Sequence, residues 1–416
     1  WAGPAIACLI VALPLLQLLP IPSWLWHWPA PRLSLERDLM SAGVTDFSMH
    51  WGLATYAAER DLLSMLPAIA LFTAMLALPR NAWRGQLWWL IGLVVFSLAL
   101  AFVQMSAAQD SVLNPFPQYA PALAGIFANR NHEACALAMA LVLALTLLLD
   151  AYARSSTRVE PMRGELVATT IVVTVIAATL PLVNSRAGVI VAIVGTAAAL
   201  WIGGTWSREH WRESRSARWL AASAICVLAM GVYGAFAWVQ EDASTQGSRW
   251  EMATSTVRIA TANMPLGSGF GSFIPMFEQA SQGALMHQGY INAAHNDYAQ
   301  WWMEGGFVTI VAMLAITGIL IASAIRLLRL PRESNVRTTG MAALLALIVP
   351  LLHSTVDYPL RTPALMSAFG MLAGIALAAA RCARGRTATS ASHRRNRPAP
   401  ANTRRHSAPS NPPCSP

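Results

Sequence analysis

The chain has 416 residues, of which 55% are hydrophobic and only 12% charged, and it carries a formal net charge of +9. That is too apolar for a soluble protein of this size, so the bilayer is its main solvent and the expected class is an all-α polytopic membrane protein. All 29 basic residues are arginine, and their placement follows membrane topology and an anionic leaflet of membrane lipids rather than a nucleic-acid partner.

Apolar runs predict ten membrane helices, near 5–20, 61–79, 87–106, 133–150, 166–183, 187–203, 219–239, 306–325, 340–353 and 363–380. Runs of this length suffice because roughly 20 helical residues cover a hydrocarbon core of about 30 Å. The chain opens at Trp1 rather than Met, so an upstream segment is expected to be missing, and no cleavable signal peptide is readable. Loops 80–86, 151–165, 205–218 and 326–337 and the tail after 380 are arginine-rich and take the cytoplasmic side. The opposite side is left with Arg32, Arg37, Arg60, Arg130, Arg186, Arg249, Arg258 and Arg361, each of which needs its own explanation. Residues 1–380 thus read as one polytopic domain with 240–304 as a large periplasmic helical loop. Residues 383–416 read as a disordered Arg/Pro/Ser-rich cytoplasmic tail. The five cysteines are scattered without paired spacing, which suggests neither a disulfide framework nor a zinc site.

Along the outward side, 21–60 is expected to hold an interfacial helix with Trp24, Trp26 and Trp28 at headgroup depth. Three prolines keep 107–131 from forming one regular helix. The corner Phe127 to Glu133 offers a buried-looking Arg130, which Glu133 or Asp110 could neutralise. The corner Asn184-Ser185-Arg186-Ala187-Gly188 is so short that its guanidinium has little room to escape into water, and its fork geometry suits a carboxylate or a ligand phosphate. From Ser248 to Ala260 the pattern is an amphipathic helix, with Trp250, Ala253, Val257, Ala260 and Met264 at helical spacing. At about 100° per residue, Arg249 and Arg258 fall on opposite faces and cannot both serve one anion; both could instead snorkel from a helix lying on the membrane. Three alternate glycines, Gly267, Gly269 and Gly271, permit a tight turn able to hold a phosphate oxygen or to be an ordinary loop.

The phrase Ala294-His295-Asn296-Asp297-Tyr298, followed by Glu304-Gly305-Gly306, sets an imidazole at the entrance to a membrane helix. A helix through it would put His295, Tyr298, Ala299 and Trp302 on one face. Further ligands at i+3 or i+4 are absent, so no metal is expected there, and no cofactor elsewhere. The last outer corner, His353 to Pro363, supplies its own acid and base, and Asp357 is expected to pair with Arg361 and fix the helix ends. Several arginines, one or two histidines and few unpaired carboxylates on one side suit an anionic, membrane-borne substrate.

In order and spacing, Asn129-Arg130-Asn131-His132, Ser185-Arg186-Ala187-Gly188, Arg249-Trp250, Pro265 to Gly271, Ala294 to Tyr298 with Glu304-Gly305-Gly306, and His353 to Arg361 resemble the O-antigen ligase and polymerase family. The resemblance covers about 120 to 375. It implies a GT-C-like, all-helical transferase that moves a glycan from undecaprenyl pyrophosphate to lipid A-core or another acceptor at the periplasmic face of the inner membrane. It further implies that Arg186, Arg249 and His295 contact the donor pyrophosphate or act at the acceptor. On this reading Arg186 and Arg249 hold the pyrophosphate, His295 is the general base of a metal-independent, inverting transfer, and Arg130, Arg258, His353, Asp357 and Arg361 are secondary candidates. A polymerase, a protein O-oligosaccharyltransferase and, from another class, a polysaccharide-lipid flippase or proton-coupled transporter using His295 and Asp357 stay open as alternatives.

Overall fold

The computed structural model describes residues 2–108, 111–114, 123–155, 163–204, 244–281 and 291–395. Among them the chain forms thirteen α-helices and two short 3-10 turns, and the single β-type pairing is a bridge between Pro20 and His50. In chain order the helices are α1 (Ala2–Gln17), α2 (Ser23–Trp26), α3 (Ala30–Ser41), α4 (Thr55–Ala77), α5 (Trp83–Ser106), α6 (Arg130–Ser155), α7 (Arg163–Thr179) and α8 (Arg186–Gly204). They continue as α9 (Ser244–Ala262), α10 (Phe273–Ser281), α11 (Asp297–Leu328), α12 (Asn335–His353) and α13 (Pro363–Arg395). Among the described residues, seven stretches are long and apolar enough to cross a membrane: Thr55–Ala77, Trp83–Ser106, Arg130–Arg154, Gly164–Val183, Asp297–Leu328, Asn335–His353 and Pro363–Ala383. The chain is an all-α polytopic membrane protein. Of the other expected spans, 5–20 and 187–203 correspond to the shorter apolar helices α1 and α8, and 219–239 lies outside the described residues. Helix α13 continues to Arg395 into the segment read as the tail, whose remainder is also outside them.

Helix α6 is the axis of the bundle. Its Ala- and Leu-rich run is buried on nearly all sides, packed by α5, α7, α8 and α12. Small side chains let those neighbours approach closely, which is how helices associate where lipid removes the hydrophobic drive. Helix α13 lies along α4 and α12, while α4 and α11 turn most of their apolar side chains outward. At the end of α6 opposite Asn131, Asp150 is buried among Arg84 (2.8 Å), Arg154 (2.9 Å) and the Thr338 hydroxyl (2.9 Å), tying α5, α6 and α12 together.

Helix α11 is two helices joined at Gly306, whose φ of 58° and ψ of −148° are open essentially to glycine alone. The break exposes backbone groups that the Pro265–Gly271 turn satisfies. Phe307 N donates to Pro265 O (3.0 Å), Ser268 N to Met303 O (2.9 Å) and Gly269 N to Glu304 O (2.8 Å). Contact is so close that a Cβ on Gly306 would lie 2.3 Å from Pro265 O. The N-terminal region clasps the same turn. Buried Gln17 donates to Glu304 O and accepts from Phe270 N, and fully buried Arg32 donates to Trp51 O (2.7 Å) and Gly267 O (2.9 Å). Burial pulls the Arg32 guanidinium down to about 10, and it stacks over Trp26, 5.5 Å from the ring centroid. One outward arginine is thereby explained as a backbone clamp. Of the three tryptophans expected at headgroup depth, Trp24 (71%) and Trp28 (63%) are exposed while Trp26 (3%) is buried beneath Arg32.

Gly306→Ala is expected to lower the thermal midpoint in detergent by an amount matching a loss of about 1–3 kcal/mol or more. Gly318→Ala, where an added Cβ meets nothing within 4 Å, should leave the midpoint almost unchanged. Equal shifts in the two variants would contradict the brace.

Candidate functional site

His295 stands just before α11 in the left-handed region (φ 50°), and Asn296 caps the helix by accepting from Ala299 N at 3.0 Å. This corrects the expectation of a single helix through the phrase. With the helix starting at Asp297, His295 is turned off the face of Tyr298, Ala299 and Trp302. What it meets is Asp357, with His295 Nδ1 3.2 Å from Asp357 Oδ1. The imidazole is partly exposed and the carboxylate fully buried.

Asp357 is approached from three further directions, by two hydrogen-bond donors and one more distant guanidinium. Asn131 Nδ2, in the first turn of α6, donates to Oδ2 at 2.7 Å, Tyr358 N donates to Oδ1 at 2.9 Å, and Arg249 Nη1 from α9 lies 4.0 Å from Oδ2. Burial alone would raise the Asp357 carboxyl, but the hydrogen bond and charge of His295, followed by the charges of His132 and Arg249, hold it well below the usual carboxylate range. Because the folded value is depressed, its contribution to stability is complete above the ordinary carboxylate range and is lost as pH falls towards the folded-state value. Tyr358 is wedged edge-on between His132 and His295, with both ring centroids 4.9 Å away. His132 Nδ1 is 2.8 Å from the Thr362 hydroxyl. His353 closes α12 within electrostatic reach of Asp357 and Arg249, fully buried, and among the described residues neither ring nitrogen has a hydrogen-bond partner.

The expected Asp357–Arg361 pair does not form. Residues 359–361 are a 3-10 turn, so the two side chains diverge. Arg361 instead donates to Glu304 Oε2 and lies 3.7 Å from Asp297 Oδ1 and 3.6 Å from Asp61 Oδ2. Asp297 in turn accepts from Ser354 Oγ (2.8 Å) and Leu360 N (3.2 Å), which pins the 354–361 loop to the start of α11. The glycine turn is not a free phosphate cradle either. The N–H groups of Gly267, Ser268, Gly269 and Phe270 are committed to Asn263 O, Met303 O, Glu304 O and Gln17 Oε1.

Arg249 and Arg258 do take opposite sides of α9, Arg249 towards Asp357 and Arg258 exposed. The buried face is Met252, Thr256, Ile259, Ala260 and Asn263 rather than the expected one. Trp250 and Val257 point outward. Arg130 proves exposed, and Glu133 is bonded to Ser97 Oγ instead (2.6 Å). Arg186 opens α8 after left-handed Asn184 (φ 55°), in a corner where Ser185 Oγ accepts from Gly188 N at 3.2 Å. That corner sits on the first turn of α6, where a Cβ on Gly188 would lie 2.4 Å from Ala134 Cβ. Arg186 and Asn131 therefore belong to adjoining helix starts at the same end of the bundle.

The carboxylates around Arg361 and the role of Asn131 were not read from the sequence. Their signal is weak, since Asn131 and Asp357 are 226 positions apart and Glu304 and Arg361 are 57 apart.

A family model described as O-antigen ligase matches residues 170–314, a stretch containing Arg186, Arg249, Arg258 and His295. No curated protein matches the chain.

Proposed function

We propose that the chain belongs to the O-antigen ligase family whose model it matches at residues 170–314, and that it transfers a glycan from undecaprenyl pyrophosphate to a hydroxyl of lipid A-core or a similar acceptor, at the periplasmic face of the bacterial inner membrane. The family supports lipid-linked glycan transfer in general. The observation that carries the finer reading is the convergence of Arg249 and His295 on one buried carboxylate, at the end of the bundle where the Arg186 corner meets α6.

A lipid pyrophosphate is already a good leaving group, so the chemistry requires charge stabilisation on it and a base for the incoming alcohol. Arg186 and Arg249 bind the pyrophosphate, which their planar guanidinium groups suit. The acceptor oxygen attacks the anomeric carbon from the side opposite the pyrophosphate as its proton passes to His295. The bond from that carbon to the phosphate oxygen breaks, the electron pair leaves with the lipid pyrophosphate, and the configuration inverts. His295, only partly buried, is open to an acceptor from outside.

The test is transfer in membranes supplied with lipid-linked glycan and acceptor. Arg186→Ala and Arg249→Ala should each raise the donor KM by about tenfold or more, the scale of a lost charge-assisted hydrogen bond. An unchanged donor KM in both would remove them from the pyrophosphate site. In a strain lacking the gene, accumulation of lipid-linked polymer supports the ligase assignment; accumulation of single lipid-linked repeats would make the protein a polymerase, and transport of lipid-linked glycan without transfer would make it a flippase.

A further inference from the structure

The hub of the site is Asp357, which has no role of its own in the transfer proposed above. It is completely buried, and its two oxygens are divided: Oδ1 faces His295 Nδ1 and the Tyr358 N–H, while Oδ2 faces Asn131 Nδ2 and Arg249. The structural alternative for such a carboxylate, an ion pair with nearby Arg361, is already closed off by Glu304, Asp297 and Asp61. Within the loop the Asp357 side chain accepts from Tyr358 N, a bond that a neutral acceptor could take, while its charged partners His295 and Arg249 come from outside the loop.

We propose that Asp357 is a positioning residue that fixes the His295 tautomer, and that Asn131 holds Asp357 in the orientation this requires. This rests on the reading of His295 as the base. A carboxylate facing Nδ1 accepts only a hydrogen there, so the Nδ1 position carries the proton and Nε2 keeps the lone pair that receives the acceptor's hydroxyl proton. After that transfer the imidazolium lies against a fixed negative charge until its proton is released to solvent. Asn131 matters because its carboxamide donor occupies Oδ2 and leaves Oδ1 aimed at His295. It also links the pair to the helix turn on which the Arg186 corner rests, so the base and the donor-binding corner share one anchor. The other titratable or charged groups facing this pair are His132 on α6, Arg249 on α9, Asp297 on α11 and His353 at the end of α12.

The decisive variant is Asp357→Asn, which keeps the shape but can present an N–H to Nδ1 and so favour the wrong tautomer. Expected is a fall in kcat of about 100-fold or more, by analogy with the same change in histidine-based hydrolases. The acid limb of the kcat profile should also move to lower pH, because the imidazolium has lost its counter-charge. Asn131→Ala should lower kcat by about tenfold with the donor KM unchanged, as for other residues that orient an active group. A kcat for Asp357→Asn within about threefold of the parent, or a lowered kcat with an unmoved pH midpoint, overturns the proposal. Should Asp357→Asn fail to fold, Asn131→Ala carries the test, and either an unchanged kcat or an effect confined to KM overturns it. Failure of the underlying reading looks different, since there His295→Ala itself would transfer at the parental rate.

Discussion

Replacing His295 by asparagine is expected to lower kcat by about 10²–10⁴-fold, the usual share of a general base, while donor binding is retained. Asparagine is the informative choice because of the backbone. At φ 50° most side chains are strained, whereas asparagine tolerates the left-handed region, so the entry into α11 and the Asn296 cap should survive. The carboxamide can still donate to Asp357, but it cannot accept a proton near neutral pH. Thermal midpoint and donor KM should therefore stay near those of the parent while transfer disappears, the reverse of the pattern expected for Arg186→Ala and Arg249→Ala. The measurement is initial-rate transfer from lipid-linked glycan at saturating donor. Parental kcat in His295→Asn would mean that the acceptor is deprotonated elsewhere, and a large rise in donor KM would move His295 into the pyrophosphate site.

The sequence announced the helices of this bundle more clearly than the contacts between them. Spans such as α6 and α12 are legible because length and hydropathy alone decide them, and His295 stood out as a candidate because an imidazole just ahead of an apolar run is rare. The lateral face of α9 was not. In water the apolar side of a helix is the buried side, but Trp250 and Val257 belong to an exposed side and Thr256 and Asn263 to a buried one. An arginine in the middle of a motif is equally ambiguous. Arg32 and Arg249 both oppose the insertion bias, yet one binds backbone carbonyls and the other faces a carboxylate at the site, a difference set by residues far away in sequence. The pairing of Asp357 with Arg361 was expected because one short outer corner supplies both the acid and the base. In the loop and 3-10 turn that the chain adopts there, it gives way to the break in α11, which brings Glu304 within reach.

Removing the Arg361 side chain is expected to be the most destabilising single change at this end of the bundle. Glu304 and Asp297 are fully buried, and Asp61 approaches the same guanidinium from α4. Arg361→Ala leaves these carboxylates facing one another without a counter-charge, a situation that costs about 3–5 kcal/mol when one partner of a buried pair is deleted. Arg361→Lys should recover only part of the loss, because a single ammonium cannot reach three carboxylates as a planar fork does. Neutralising the nearest acid relieves the repulsion, so Glu304→Gln in the Arg361→Ala background should restore stability, although Glu304→Gln alone lowers it. Thermal unfolding of the four proteins in detergent gives the coupling between the two positions, and strict additivity would show that the ion pair is incidental. The consequence reaches the chemistry through the backbone. Arg361 pins the loop that carries Asp357, so a folded Arg361→Lys protein should lose transfer through kcat, in step with the loosening of the carboxylate that faces His295.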